Sequence, residues 1–303
     1  EDGREAIKIT GVTVGYGKRL KWPDDYFTGL VEVGFQNYNL ENYRLVENFR
    51  NGSSNTATLK FTLARNSIDA PIYPRFGSQL SFSVQATPPF NYFTSTSKFP
   101  GFGFEEKDFS NVDLQEKFKW TEFHKWKFNA TWFTKLAGNL VLASKVQYGF
   151  LGLYNRSLGI TPFERFYLGG DGLNGFALDG REIIALRGYD NNTLTPTDNS
   201  GNFIGGTIYN KYTMELRYPV SLNPSATIYL LGFAEAGNAW SNFDEFNPFG
   251  VKKSLGGGVR IFLPMFGLLG LDWGYGFDDV SGRPDANGGQ FHFSIGQNFN
   301  SSN

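Results

Sequence analysis

The sequence predicts an all-β chain that forms a transmembrane antiparallel β-barrel, and three observations carry that prediction. Apolar and polar residues alternate along segment after segment, as they do on strands with two unlike faces. Aromatic residues make up 17% of the 303, the excess that interfacial girdles of Trp, Tyr and Phe require. No run of about eighteen apolar residues exists, so no helix of this chain spans a bilayer. A chain that crosses one by strands must close into a barrel, because every backbone polar group in hydrocarbon has to be paired internally.

Each element follows from the alternation. Counting gives roughly eleven strands, near 5–20, 26–40, 55–66, 77–88, 118–136, 138–154, 205–218, 225–240, 251–263, 267–277 and 290–299. In the second, Val31, Val33 and Phe35 oppose Glu32, Gly34 and Gln36; in the third, Leu59, Phe61 and Leu63 oppose Thr58, Lys60 and Thr62. The fifth sets Trp126, Phe128, Ala130 and Trp132 against Lys127, Asn129 and Thr131. In the sixth, Leu140, Leu142, Val146, Tyr148 and Phe150 are interleaved with Lys145, Gln147 and Gly149. Near the end, Leu269, Leu271, Trp273 and Tyr275 oppose Gly270, Asp272 and Gly274. A soluble sandwich would turn its apolar face to a dry core, whereas a membrane barrel turns it to lipid and keeps the polar face for a wet lumen. The polar face here carries full charges of both signs, among them Glu32, Lys60, Lys127, Lys145, Arg260 and Asp272, and the other face is rich in large aromatics. That combination selects the barrel.

The connections alternate in length. Short turns at 22–25, 223–224 and 264–266 contrast with longer stretches at 41–54, 89–117, 155–204, 241–250 and 278–289, the layout of periplasmic turns and extracellular loops. The last strand then runs toward the periplasm and, eleven strands back, so does the first. Single-chain bacterial barrels have even strand counts, so this parity predicts the C-terminal part of a barrel over residues 1–299, with a tail at 300–303 and N-terminal strands missing. The opening Glu1-Asp2-Gly3-Arg4 is no signal peptide.

Several chemistries find no support. A net charge of −1 gives nucleic acid nothing to bind, and zero cysteines exclude thiol chemistry. His124 and His292 lack metal-ligand spacing, which leaves a lumen-lining or interface role for each. Gly256-Gly257-Gly258 has no following Lys-Ser/Thr for a phosphate loop, and inside a strand it suggests strong curvature. We therefore expect no catalytic, cofactor or metal residue, and no enzyme.

One connection stands apart. The stretch 155–204 is roughly fifty residues long, beyond the usual range for a mere spacer. It contains Tyr167-Leu168-Gly169-Gly170 and Leu186-Arg187-Gly188-Tyr189. Downstream, parity places two acids in the lumen: Glu215 opposes the lipid-facing Met214 and Leu216, and Glu235 opposes Ile228 and Leu230. An arginine fork can bind two such carboxylates. A general acid/base pair is the other reading of these two glutamates, but no second polar constellation accompanies them. On the terminal strand Phe291, Phe293, Ile295 and Phe299 face lipid, His292, Ser294 and Asn298 face inward, and Gly296 loosens the end.

This ordered set resembles the BamA family of outer-membrane β-barrel assembly proteins. The Gly-Gly and Arg-Gly-aromatic elements, Met214-Glu215-Leu216, Phe233-Ala234-Glu235-Ala236-Gly237-Asn238-Ala239-Trp240 and the Phe291–Phe299 strand carry it, strongly from about residue 118 and more loosely before. Two departures stand out: about fifteen residues separate the Gly pair from Arg187, and Glu235 stands where Asp is usual. The resemblance implies a barrel of about sixteen strands preceded by POTRA domains, with roughly five strands and those domains absent here. It implies that the long loop folds into the lumen, where Arg187, followed by Gly188 and Tyr189, meets Glu215 and Glu235. Removing Arg187 should then leave two acids unpaired. It also implies that the terminal strand, through Phe291, Phe293, Ile295, Gly296 and Phe299, forms a lateral seam able to template incoming strands. The function implied is the central insertase of a bacterial-type outer membrane, with membrane lipids, unfolded barrel clients and assembly lipoproteins as partners and no cofactor. A related two-partner secretion or autotransporter-assembly protein, or an unrelated porin, is the alternative.

Overall fold

The computed structural model describes residues 5–43, 49–90, 109–155, 157–171 and 181–296. Eleven strands form one sheet: β1 (Ala6–Arg19), β2 (Phe27–Glu41), β3 (Gly52–Asn66), β4 (Phe76–Ala86), β5 (His124–Lys135), β6 (Val141–Gly152), β9 (Ile208–Asn223), β10 (Ala226–Trp240), β11 (Lys252–Leu263), β12 (Gly267–Gly276) and β13 (Gly289–Ile295). Two short strands, β7 (Phe166–Leu168) and β8 (Glu182–Ile184), pair in parallel inside the long loop. Every pairing in the large sheet is antiparallel and joins strands in chain order, with β1 and β13 at the two edges. The one jump, from β6 to β9, spans the long loop.

Burial confirms the inside-out sense that alternation implied. Val33, Leu230 and Trp273 on the outer face are about half exposed or more, while their inward neighbours Arg260 and Asp272 are almost completely buried. The lumen side therefore holds the charges. Glu32 and Lys60 sit opposite each other in register and pair at 3.4 Å. Among the described residues no helix is long and apolar enough to cross a membrane.

Three expected strands have other bounds. The segment 118–136 becomes strand only from His124, because Thr121, Glu122 and Phe123 are buried in succession and the two-residue period is lost there. Their backbone instead follows a helical turn, Leu114–Lys117, and bridges to Asn55. The terminal strand stops at Ile295, with Gly296 just beyond it in the left-handed region (φ 68°). Phe299 lies outside the described residues. β9 runs longer than expected, to Asn223, and accommodates Pro219 at a register shift, past the last β6 pair at Arg217.

The turn between β3 and β4 closes the lumen at the end opposite the long loops. Tyr73 reaches across to donate to the carbonyls of Asn139 and Arg217 at 3.0 and 2.9 Å and meets the Tyr229 ring edge-on at 5.2 Å. Asp69 holds the turn: its carboxylate accepts from the N–H groups of Arg75 and Phe76 at 2.7 and 3.1 Å and from the Arg75 guanidinium at 3.3 Å. Burial alone would raise the carboxyl pKa, but these donors outweigh it and hold it below the ordinary aspartate value of 3.8. A depressed carboxyl contributes stability that is present above the unfolded-state pKa and disappears as pH falls through the folded-state one. Asp69→Asn should therefore lower stability near pH 7 by about 1 kcal/mol, with the gap to wild type closing below pH 3.8. Urea unfolding at the two pH values measures it; an unchanged gap at acid pH would assign the effect to shape alone.

Candidate functional site

The site grows from the alternation of β9 to β12 and from one arginine in the loop. Inward positions of these strands place Glu215, Arg217, Lys211, Glu235, Arg260 and Asp272 on one concave wall, each nine-tenths or more buried. The loop enters from the rim on an apolar footing. Phe166, Leu168, Ile184, Leu186, Tyr189 and Leu194 pack with Leu151 of β6, Tyr209 of β9 and Ala239 of β10. That burial sets the loop backbone against the wall and delivers the next residue, Arg187, into the lumen.

Arg187 then meets three acids. Its Nη2 lies 2.8 Å from both Glu215 and Glu235, and its Nη1 lies 3.2 Å from Asp272. The Arg187 backbone N–H adds a 2.9 Å bond to Glu235, and the guanidinium stands 3.5 Å above the Phe233 ring. The structure thus brings together the three residues selected from the sequence and adds Asp272 and Phe233. Asp272 was legible as a lumen charge, but its distance in sequence hid the contact.

The acids are not dependent on Arg187, and here the expectation of two stranded carboxylates fails. Arg217 donates to Glu215 at 2.7 Å, Lys211 pairs with Glu235 at 2.9 Å, and Arg260 holds Asp272 through two bonds of 2.6 and 2.7 Å. Each carboxylate keeps a cation supplied by the wall itself. The physical reason is parity: Lys211 and Glu235, and Glu215 and Arg217, fall on the same inward face of adjacent or identical strands. A second set ties the loop to β5, where Lys125 meets Glu164 and Glu182 at 2.9 Å and Lys127 meets Glu182 at 2.9 Å. Glu164 and Glu182 carry no strand periodicity of their own, which is why the sequence did not single them out.

Gly188 and Tyr189 lock the turn that follows. A Cβ on Gly188 would lie 2.7 Å from the Gly276 nitrogen and 2.8 Å from the Tyr275 carbonyl carbon, and its φ of 87° suits glycine alone. Its N–H donates to His292 Nε2 at 2.8 Å, so His292 lines the lumen and contacts the loop directly. Tyr189 is wholly buried and donates to the Lys253 carbonyl at 2.8 Å. We predict that Gly188→Ala undocks this turn, by roughly 2 kcal/mol or more from strain and clash combined. Rapid protease cleavage within the loop, with the barrel still folded, is the expected result.

The two outer glycines of the triglycine leave space for side chains. A Cβ on Gly256 would strike Phe233 at 2.4 Å, and one on Gly258 would strike the Asp272 carboxylate at 1.8 Å. These glycines make room for the ring beneath Arg187 and for its third acid. His124, by contrast, sits on the outer face, where Trp126 Nε1 donates to its Nδ1 at 3.0 Å. Of the terminal-strand residues, Phe291, Phe293 and Ile295 point outward and are 76%, 44% and 47% exposed. Among the described residues, no group of His, Asp and Glu is placed to hold a metal.

Comparison with known proteins gives the family and the fold. The Omp85 superfamily domain matches residues 4–299. A stretch of 117 residues is 33% identical to the outer membrane protein assembly factor BamA of Neisseria meningitidis serogroup B, covering 37% of this chain and 13% of that protein. The crystal structure of BamA from Haemophilus ducreyi lacking POTRA domains 1–3 is similar with a TM-score of 0.63 at 16% identity, over 96% of this chain and 54% of that one. CdiB from Escherichia coli gives a TM-score of 0.49 at 12% identity, over 95% of this chain and 44% of that one. The chain spans about half the length of the solved BamA chain it resembles.

Proposed function

This chain belongs to the Omp85 superfamily, and from that premise we propose that it is barrel sequence of an insertase that folds other barrels into a bacterial outer membrane. The work is non-covalent on this reading, and no cofactor takes part. Its partners are unfolded outer-membrane clients, lipoproteins of the assembly machinery and the surrounding lipids.

The observation that carries the reading is the family match over residues 4–299, joined to a terminal strand that ends at a left-handed glycine. β13 pairs with β12 and is followed by Gly296 at a φ of 68°. A terminal strand loosened in this way is the kind of seam on which an incoming strand can pair by β-augmentation. The ion cluster supports the same reading, because a loop fastened across β5, β6 and β9 to β12 braces the wall beside a seam that must open. It also argues against an open porin, whose lumen would be kept clear for solutes.

The test is reconstitution of the complete protein in liposomes with a urea-unfolded client barrel, client folding being followed by heat-modifiable gel mobility. Folding should be faster than in protein-free liposomes. A disulfide tying β13, through Ser294→Cys, to the strand that closes against it should abolish the acceleration and reduction should restore it. The absence of native cysteines in these 303 residues keeps that experiment clean. Equal acceleration by the locked and reduced forms would defeat the seam, and ion conductance without any acceleration would favour the porin.

A further inference from the structure

The loop between β10 and β11, residues 241–250, does not stand up into solvent. It folds down the outside of the wall. Two outward-facing side chains hold it by its carbonyls: Asn210 of β9 donates to Pro248 at 2.9 Å, and Asn238 of β10 donates to Gly250 at 2.8 Å. Aromatic contacts fasten it as well. Phe243 stacks on Phe150 of β6 at 5.8 Å, and Phe246 packs edge-on against Trp240 at 5.0 Å and Phe150 at 5.9 Å. As a result Asn210 and Ile208 are completely buried on the face where Met214 and Leu216, further along β9, are exposed.

Among the exposed side chains of the loop, which include Asn242, Asp244, Glu245 and Asn247, two are large and apolar. Phe243 and Phe249 are 61% and 88% exposed, an arrangement that costs free energy in water and gains it in hydrocarbon. Beside Phe243 the wall is hollowed into a cleft of about 390 Å³, bounded by Phe82, Trp126, Phe128, Phe150 and Phe243, with His124 at one end. The cleft lies at the extracellular ends of β5 and β6 and continues the outer belt in which Trp132, Leu216 and Leu230 are exposed. That belt is the membrane-facing surface of an outer-membrane barrel, so what adjoins the cleft is the acyl region of the outer leaflet.

We propose that loop 241–250 is a lipid-facing clasp, and that the cleft it forms with β4, β5 and β6 takes an acyl chain of a bilayer lipid. The hydrocarbon tail lies against the four aromatic rings Phe82, Trp126, Phe128 and Phe150 under Phe243, and Phe249 enters the leaflet beside it. The inference needs only that the outer face meets lipid. It is independent of the insertase reading.

Two measurements on the whole protein reconstituted in phosphatidylcholine bilayers test it. A nitroxide on Phe249→Cys should relax more with oxygen than with a water-soluble nickel chelate, the reverse of a nitroxide on Ser200→Cys in the long loop. A chelate-dominated response at 249 equal to that at 200 overturns the clasp. For the cleft, native mass spectrometry of the protein released from those bilayers in mild detergent should show a retained phosphatidylcholine. Phe243→Asp, at an exposed loop position that the barrel fold does not need, should lose that lipid-bound peak. No lipid peak in the wild type, or an equal one in the variant, overturns the cleft assignment.

Discussion

Replacing Arg187 by alanine should free the long loop and leave the barrel wall standing. The variant loses three ion contacts and the stacking on Phe233, but Glu215, Glu235 and Asp272 retain Arg217, Lys211 and Arg260. No carboxylate is left uncompensated, so the loss falls on loop docking, about 3 kcal/mol. Trypsin should then cut at Arg165 and Arg181 within the loop, while the heat-modifiable band of the folded barrel persists. Arg187→Lys should restore little, because an ammonium cannot fork between three carboxylates as a planar guanidinium does. Simultaneous loss of the folded band would mean that the wall cations do not compensate the acids.

Glu235→Ala should do more damage than Arg187→Ala, although the two residues are partners. Glu235 accepts from the Arg187 guanidinium at 2.8 Å, the Arg187 N–H at 2.9 Å and Thr213 at 3.2 Å, and pairs with Lys211 at 2.9 Å. The paired groups of the cluster are four cations, Arg187, Lys211, Arg217 and Arg260, against three acids, Glu215, Glu235 and Asp272. Removing Arg187 leaves three paired cations against three acids, with Lys145 lining the same cavity as a further cation. Removing Glu235 leaves four against two, with Lys211 and Arg187 facing each other while buried. Uncompensated buried charge of this kind costs about 3–5 kcal/mol. The urea midpoint of Glu235→Ala should fall further than that of Arg187→Ala, and the double variant should recover part of the loss. Glu235→Gln, which keeps acceptor geometry and loses charge, should fall between. An order with Arg187→Ala as the least stable variant would contradict the charge count.

The route from sequence to this site was uneven. Strand number and inside-out sense were legible because alternation is a local property that survives in single segments such as Trp126–Trp132 and Leu269–Tyr275. Parity also puts Glu215 and Glu235 in the lumen. It could not say that Lys211 and Arg217 would satisfy them, because strand parity assigns a face and not a partner. The segment 118–123 misled, since its apolar spacing is that of a rim crossing that buries consecutive residues. Loop 241–250 gave no sign of its outward fold, because the Asn210 and Asn238 bonds that hold it come from strands whose facing was read only as lipid or lumen.

What local chemistry settles in this chain is therefore the all-β architecture, the lipid and lumen faces, and the choice of Arg187, Glu215 and Glu235 as a set. Period-two patterning dictates these, and it acts over a few residues. Which charges touch was decided by the curved sheet and by where the loop lands. Arg187 meets Asp272 across 85 positions because a patch of inward glycines on β11 and β12 clears the space. That juxtaposition exists only once strands distant in sequence share one wall.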